Sequence, residues 1–335
     1  MKKKGLCLVT GGAGFIGSHL VEALLKRGFP VRVLDNLSTG KLKNLQGMKG
    51  PLDFQKGDIR RERDVQKAVQ KAQFVFHMAA NRAVLRSVDN PLDTHEVNVT
   101  GTLRVLIAAR DAKVGRVIFT SSSSIYGDTD KFPSRENDRP LPESPYAASK
   151  IMGEYYSRQF SSLYGLSTIS LRYFNVFGPR QNPESKYSAV IPIFIECLLK
   201  KTPPVIHWDG NQSRDFSYVD NVVEGNLCAM KAPGRVSGET FNIACHDEYS
   251  VLDIFNSLKE ILKIKNIKPV FAPKRAGDVR RTYADISKSE KLLGFKVQSR
   301  FREGLENTVR WFLESDVLNH AKTKEGKRQP VSTLA

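Results

Sequence analysis

The sequence holds no run of about 18 consecutive apolar residues, so it offers no helix long enough to cross a bilayer. Its first apolar run, Gly5-Leu6-Cys7-Leu8-Val9, is too short for a signal peptide and meets Gly11-Gly12 at once. That run reads as a first strand, and a cytoplasmic protein is expected. Cysteine is sparse: Cys7, Cys197, Cys228 and Cys245 show no C-x-x-C spacing, which argues against a zinc or redox pair and predicts reduced thiols. The six histidines are scattered and form no H-E-x-x-H, so no metal site is expected. Acidic residues are outnumbered, 35 against 52 Lys and Arg, for a formal net charge of +17. Such a surplus attracts anions. The charges are spread along the chain without a basic-aromatic signature, so a solvated basic surface is expected, with no nucleic-acid partner. The densest basic stretch, 322–328, falls in a polar tail, 316–335, that is expected to be flexible.

The pattern that is present alternates. With 335 residues and 40% hydrophobic content, the chain has enough material for a large core. Short β-branched runs at 6–10, 31–35, 54–57, 74–77, 116–120 and 168–173 are interleaved with helical patterns at 16–27, 64–71, 94–111 and 147–164. This predicts an α/β fold with a doubly wound parallel sheet of Rossmann type, which binds ligands beyond the carboxyl ends of its strands. After Gly178 a series of prolines loosens the pattern. Helices are expected at 190–200, 219–230, 251–262 and 303–313, with strands at 205–208 and 240–243. The expected division is a dinucleotide-binding part, 1–178, to which about 214–245 returns, and an interleaved, smaller mixed α/β substrate part, 179–315.

Strand one runs into Thr10-Gly11-Gly12-Ala13-Gly14-Phe15-Ile16-Gly17. Glycines at this spacing permit a tight turn and bring backbone N–H groups against a pyrophosphate, at the positive end of the next helix. Asp35 ends strand two, where a carboxylate accepts from a ribose diol and repels a 2′-phosphate, so NAD is expected over NADP. Asp58-Ile59 either meets the adenine or, through Asp58, caps the following helix.

Ser144-Pro145-Tyr146-Ala147-Ala148-Ser149-Lys150 opens the longest helix. Tyr146 and Lys150, four apart, share one face. A phenol is a poor base at neutral pH, and a neighbouring ammonium stabilises its ionised form. Strand five ends in Thr120-Ser121-Ser122-Ser123-Ser124, a cluster of hydroxyls at the catalytic edge of such a sheet.

Together with His77-Met78-Ala79-Ala80, Asn98, the run from Arg172 to Arg180, the run from Arg214 to Val222, and Arg275-Ala276-Gly277-Asp278-Val279, these motifs resemble one family. It is the extended short-chain dehydrogenase/reductases of the NAD-dependent epimerase/dehydratase type, in particular the UDP-hexose 4-epimerases. The resemblance spans about Gly5 to Leu313. It implies NAD as cofactor, a UDP-sugar as partner, and a homodimer formed through the helices near 94–111 and 147–164. It implies Tyr146 as catalytic base, Lys150 on the nicotinamide ribose, and Ser122, with Ser123 as second candidate, on the sugar oxygen being oxidised. Around the cofactor it implies Gly11, Gly14, Phe15, Ile16, Gly17, Asp35, Asn36, Asp58, Ile59, Ala79, Ala80, Asn98 and Phe174, besides Tyr146 and Lys150. For the substrate it implies Asn175, Arg214 and Arg275 at the diphosphate, Asp278 at the nucleoside ribose, and Val190 as a further contact.

The implied activity is 4-epimerisation of UDP-glucose/UDP-galactose through a transient 4-keto sugar. Serines stand where the resembled dehydratases and decarboxylases carry acids, which argues against β-elimination. Thr282 stands where family members that reject N-acetylated sugars carry tyrosine, so UDP-GlcNAc/UDP-GalNAc are expected to fit as well. Arg82 replaces a small residue near the sugar and is either a contact to an acidic sugar or a surface arginine. A UDP-uronic acid 4-epimerase, another nucleotide-sugar reductase or dehydratase, and a non-catalytic NAD-binding scaffold remain the alternatives.

Overall fold

A computed structural model describes residues 4–182, 189–274 and 279–315. Seven parallel strands make the central sheet: β1 (Leu6–Thr10), β2 (Val31–Asp35), β3 (Leu52–Lys56), β4 (Ala72–His77), β5 (Arg116–Ser122), β6 (Thr168–Tyr173) and β7 (Thr240–Ile243). Their spatial order is β7-β6-β5-β4-β1-β2-β3. The order reverses between β1 and β4, which opens a crevice at their carboxyl ends. The register aligns those ends, since Thr10 pairs with Leu34 and His77, and Ser122 with Tyr173.

Strand residues alternate between the two faces of the sheet, and the apolar clusters follow that alternation. Cys7, Val9, Phe76 and Ile118 pack on one side with Leu20, Val21 and Leu24 of α1 (Phe15–Lys26) and Val222 and Leu227 of α6 (Val219–Lys231). Leu8, Val75 and Val117 pack on the other with α2 (Glu62–Val69), α3 (Gly101–Asp111) and Phe160 of α4 (Pro145–Tyr164). Both faces are covered, which explains why the strands read as continuous apolar runs.

The expected helix at 94–111 is broken. A short helix, Pro91–His95, passes through a π-turn, Glu96–Thr100, into α3. The wide turn seats Asn98 inward and fully buried, and sets Gly101 against Ile59, where an added Cβ would lie 2.8 Å from Ile59 Cδ1. A helix at Val84–Asp89 and another at Ser287–Leu293 have no counterpart in the sequence reading. The long α4 starts at Pro145, with the Ser144 hydroxyl accepting from Ala147 N (3.1 Å), and ends on Gly165 in the left-handed region.

A second apolar cluster joins Phe177, Phe216 and Tyr218 to α5 (Val190–Leu199), α7 (Val251–Ile261) and α8 (Phe301–Glu314). It includes no residue of β1–β7. The intervening chain returns to the sheet, because β7 pairs with β6. Among the described residues no helix is long and apolar enough to cross a membrane. Arg275, Asp278 and the tail 316–335 lie outside the described residues.

Candidate active site

The glycine turn fills the crevice between β1 and β4. Gly11 is at φ +72, and a Cβ there would meet Ala79 N at 2.8 Å. A Cβ on Gly17 would lie 2.2 Å from Gly11 O. The turn therefore closes only with glycine, and α1 begins directly on it. Gly14, the N-cap, offers α1 no side-chain acceptor, and the first turn, Phe15-Ile16-Gly17, has no acid. Its N–H groups remain available to an anion. This supports the fit of a dinucleotide pyrophosphate to the residues present.

Asp35 is buried at the end of β2, with Ala13 N (2.9 Å) and Leu37 N (2.8 Å) donating to its carboxylate. Burial pushes its pKa up and the two backbone bonds oppose that. A carboxylate oxygen has more than one lone pair, so acceptor capacity remains for a ribose. Asp58 is not the cap of α2; Arg61 holds that position. Asp58 instead accepts from Arg60 N (2.9 Å), from the Arg60 guanidinium (2.7 Å) and from Asn36 Nδ2 (2.9 Å), and the Arg60 bond first of all holds it well below the usual carboxylate range. Ile59 and Phe174 have buried side chains, so they can reach a ligand only through the backbone. Asn98 spends its amide on Asn81 N (2.8 Å), Asn81 O (3.0 Å) and Ser149 Oγ (3.0 Å). It thereby ties the loop after β4, with Ala79 and Ala80, to α4.

Tyr146, Ser122 and Lys150 converge at the carboxyl edge of β5. Burial pushes the Tyr146 phenol up, while hydrogen bonding with Ser122 and the positive charge of Arg82 pull it down. Lys150 is buried, donates to Thr120 O (2.8 Å), and lies 5.8 Å from the centre of the Tyr146 ring. Burial lowers its pKa to about 7, opposed by Glu154 one helical turn on. The Ser122 hydroxyl accepts from Ser124 N (3.2 Å) and Ser124 Oγ (2.9 Å), so its own proton stays free to be donated.

Two polar devices escaped the sequence reading. Thr102 donates to Asn98 O (2.6 Å) and so accepts from His77 Nε2 (2.9 Å), which leaves His77 Nδ1 to accept from Thr10 (2.8 Å). Thr10 in turn accepts from Met78 N and Ala79 N (both 3.2 Å). Burial holds His77 neutral, with a pKa of about 3. The relay locks the end of β4 to the end of β1. Beneath Lys150, Glu154 forms a buried ion pair with Arg172 of β6 (2.8 Å) and accepts from Ser121. The available signal was Arg172 itself, a charge inside a strand with both faces covered.

On the substrate side, Asn175 stands at φ +30 and donates to Asp215 O (3.0 Å) and to Thr282 Oγ1 (2.9 Å). Thr282 pairs with Arg214 across a short parallel ladder, and the Arg214 guanidinium donates to Ser213 O (2.8 Å) and Val279 O (2.7 Å). Asn175, Arg214 and Thr282 are thus brought together. Asp215 turns inward, accepts from Cys245 N (2.9 Å), and is raised to about 7 by burial. Val190 is the first residue of α5, half-buried against the second apolar cluster.

Residues 7–244 match the family model of the NAD dependent epimerase/dehydratase family. A UDP-glucose 4-epimerase of Mycolicibacterium smegmatis is 38% identical over 310 residues, covering 91% of this chain and 97% of that protein. The solved UDP-N-acetylglucosamine 4-epimerase from Methanobrevibacter ruminantium, in complex with UDP-N-acetylmuramic acid, is 38% identical with a TM-score of 0.88, covering 93% and 99% of the two chains. The UDP-glucuronic acid 4-epimerase from Bacillus cereus, in complex with UDP-glucuronic acid and NAD, is 32% identical with a TM-score of 0.86, covering 92% and 99%. With its glycine turn, parallel sheet and these relatives over nearly the whole length, the chain belongs to the NAD dependent epimerase/dehydratase family, with NAD as its cofactor.

Proposed function

We propose that this chain is a UDP-sugar 4-epimerase that inverts C4 of UDP-hexoses, with Tyr146 as base. The observation that carries the reading is the convergence of Tyr146, Ser122 and Lys150 beside the glycine turn. Tyr146 takes the proton of the sugar 4-OH and later returns it. Ser122 donates to the same oxygen and fixes its direction. Lys150, held by Thr120 O, contributes positive charge when protonated and holds the nicotinamide ribose. Gly11, Gly14, Gly17 and Asp35 hold the rest of NAD, aided by Phe15 and Ile16 N–H groups. NAD, when bound, accepts and returns the hydride of C4. Residues 1–178, joined by about 214–245, carry this chemistry. Residues 179–315 mainly hold the UDP-sugar, and Asn175 and Arg214, from the dinucleotide-binding part, reach its diphosphate.

Substrate breadth follows from Thr282. It is small, and its hydroxyl already accepts from Asn175. We infer room for a 2-acetamido group, hence turnover of UDP-GlcNAc/UDP-GalNAc as well as UDP-glucose/UDP-galactose. The test incubates purified protein with each UDP-sugar and identifies products by chromatography. Tyr146→Phe, which removes only a hydroxyl, should keep bound NAD and lose about 10²–10⁴-fold in turnover. Near wild-type turnover by that variant would remove Tyr146 as base. RNA binding at physiological salt without any sugar turnover would favour a scaffold instead.

A further inference from the structure

On the reading above, Ser122 and Thr282 border the same sugar although they come from distant parts of the chain. An unbroken line of buried hydrogen bonds joins their neighbours. Ser121, at the end of β5, donates to Glu154 on α4, one helical turn beyond Lys150. The Arg172 guanidinium of β6 grips Glu154 with two bonds, Nε at 2.9 Å and Nη2 at 2.8 Å. Its Nη1 donates to the hydroxyl of Tyr126 (2.8 Å), in the turn after β5. That hydroxyl donates in turn to Asn242 Oδ1 on β7 (2.7 Å). Asn242 Nδ2 donates to Ser134 O and Asp285 O, both at 3.0 Å. Ser134 then fastens the segment that follows Thr282, its N–H donating to Tyr283 O (2.7 Å) and its carbonyl accepting from Asp285 N (3.0 Å). Ser121, Glu154, Arg172, Tyr126, Asn242 and Ser134 are all buried, so water does not compete for these bonds.

Tyr126 is the joint of this line. Its single proton goes to Asn242 and a lone pair takes the Arg172 N–H, so the hydroxyl is used in both directions. A buried ion pair such as Glu154–Arg172 is a weak source of stability, since apolar residues of the same volume often serve as well. A fully satisfied network supplies direction instead, because each member accepts only one arrangement of its partners. Here it fixes the end of β5 against the segment that carries Thr282. Reacting groups displaced by about 1 Å can lose on the order of 10²-fold in rate, so such a constraint bears on turnover.

We propose that Tyr126 is a positioning residue, whose hydroxyl sets Ser122 against the sugar held beside Thr282 through Arg172 and Glu154 on one side and Asn242 on the other. The proposal rests on the 4-epimerase reading and adds a residue that touches neither substrate nor cofactor. Tyr126→Phe removes one oxygen and keeps the ring packed beside Phe174. Asn242→Ala cuts the line at its far joint and leaves Arg172 on Glu154. The test measures kcat for UDP-glucose by product chromatography, Kd for UDP and for UDP-glucose by calorimetry, bound NAD by absorbance, and melting temperature. In both variants kcat should fall about 10–100-fold at a temperature well below melting. Kd for UDP-glucose should rise about 2–10-fold relative to that for UDP, with NAD retained and UDP binding unchanged. A lower melting temperature with kcat and the Kd ratio unmoved would make the network purely stabilising and overturn the proposal, leaving the epimerase reading intact. Loss in Tyr126→Phe but not in Asn242→Ala would show that the line does not run to Thr282, and would also overturn it. So would loss of NAD or of UDP binding, which would mean a general disturbance of the fold. If wild type turns over nothing, the epimerase reading fails, and the Kd ratio still decides the role of Tyr126.

Discussion

Thr282 carries the sharpest consequence at the scale of single residues. It accepts from Asn175 Nδ2 at 2.9 Å, within reach of Arg214 on the paired strand. A tyrosine there adds a ring to space that a 2-acetamido group needs, and overpacking costs about 1–3 kcal/mol, or roughly 5–150-fold. Thr282→Tyr should lose that much on UDP-GlcNAc relative to UDP-glucose, while Thr282→Val, of similar size, should keep the ratio. Equal loss on both sugars with Thr282→Tyr would mean the side chain does not border C2. Residues of this kind were legible where chemistry is tied to short spacing, as with Tyr146 and Lys150 on one helical face. His77 and Glu154 were not legible. Their partners, Thr10 and Thr102 for one and Arg172 and Ser121 for the other, come from separate elements.

At the scale of elements, the turn between β1 and α1 is a tight joint on the molecule's cofactor side. A Cβ on Gly17 would overlap Gly11 O at 2.2 Å and Gly12 Cα at 2.8 Å, both backbone atoms that cannot rotate away. A Cβ on Gly14 meets only Gly11 O, at 3.1 Å. Gly17→Ala should therefore lower the apoprotein melting temperature more than Gly14→Ala, by about 1–3 kcal/mol of stability. Equal melting of the two variants would show that the turn relaxes. The seven strands of the central sheet and most helices were read from the sequence within a few residues, because buried parallel strands and amphipathic helices leave periodic patterns, whereas the short strands at Ser213–Asp215 and Arg281–Thr282 were not. The π-turn at Glu96–Thr100 was not, since its extra residue is set by Asn98 and Gly101 meeting distant side chains.

At the scale of the whole molecule, one face remains apolar and exposed. Met152, Tyr155 and Leu163 recur at helical spacing on α4, beside Ile107 on α3 and Val88 and Leu92 on the preceding short helices. A contiguous patch of this kind marks an association surface. We propose that a second copy of the chain covers it. Light scattering behind size-exclusion chromatography should give twice the chain mass, and Tyr155→Glu should bring it to the monomer mass. A monomeric wild type, or a variant with unchanged mass, would refute this interface.

The sequence alone determined the parallel α/β sheet, the glycine turn with Asp35, and the Tyr146–Lys150 pair. Each is a local pattern, written in period or in fixed spacing, and local patterns survive without tertiary knowledge. Only the tertiary structure decided how Asp58 is used, why Asn98 is buried, and how the loop after β4 is held. Asp58 is neutralised by Arg60 and Asn36, and Asn98 bridges Asn81 to Ser149. The loop after β4 is fastened to α4 at both ends, by Asn98 on Ser149 and by Ser87 accepting from Tyr146 N. The physical reason is common to all three. A polar side chain goes where its partners are, and those partners are brought within hydrogen-bond reach only by the packing of separate elements.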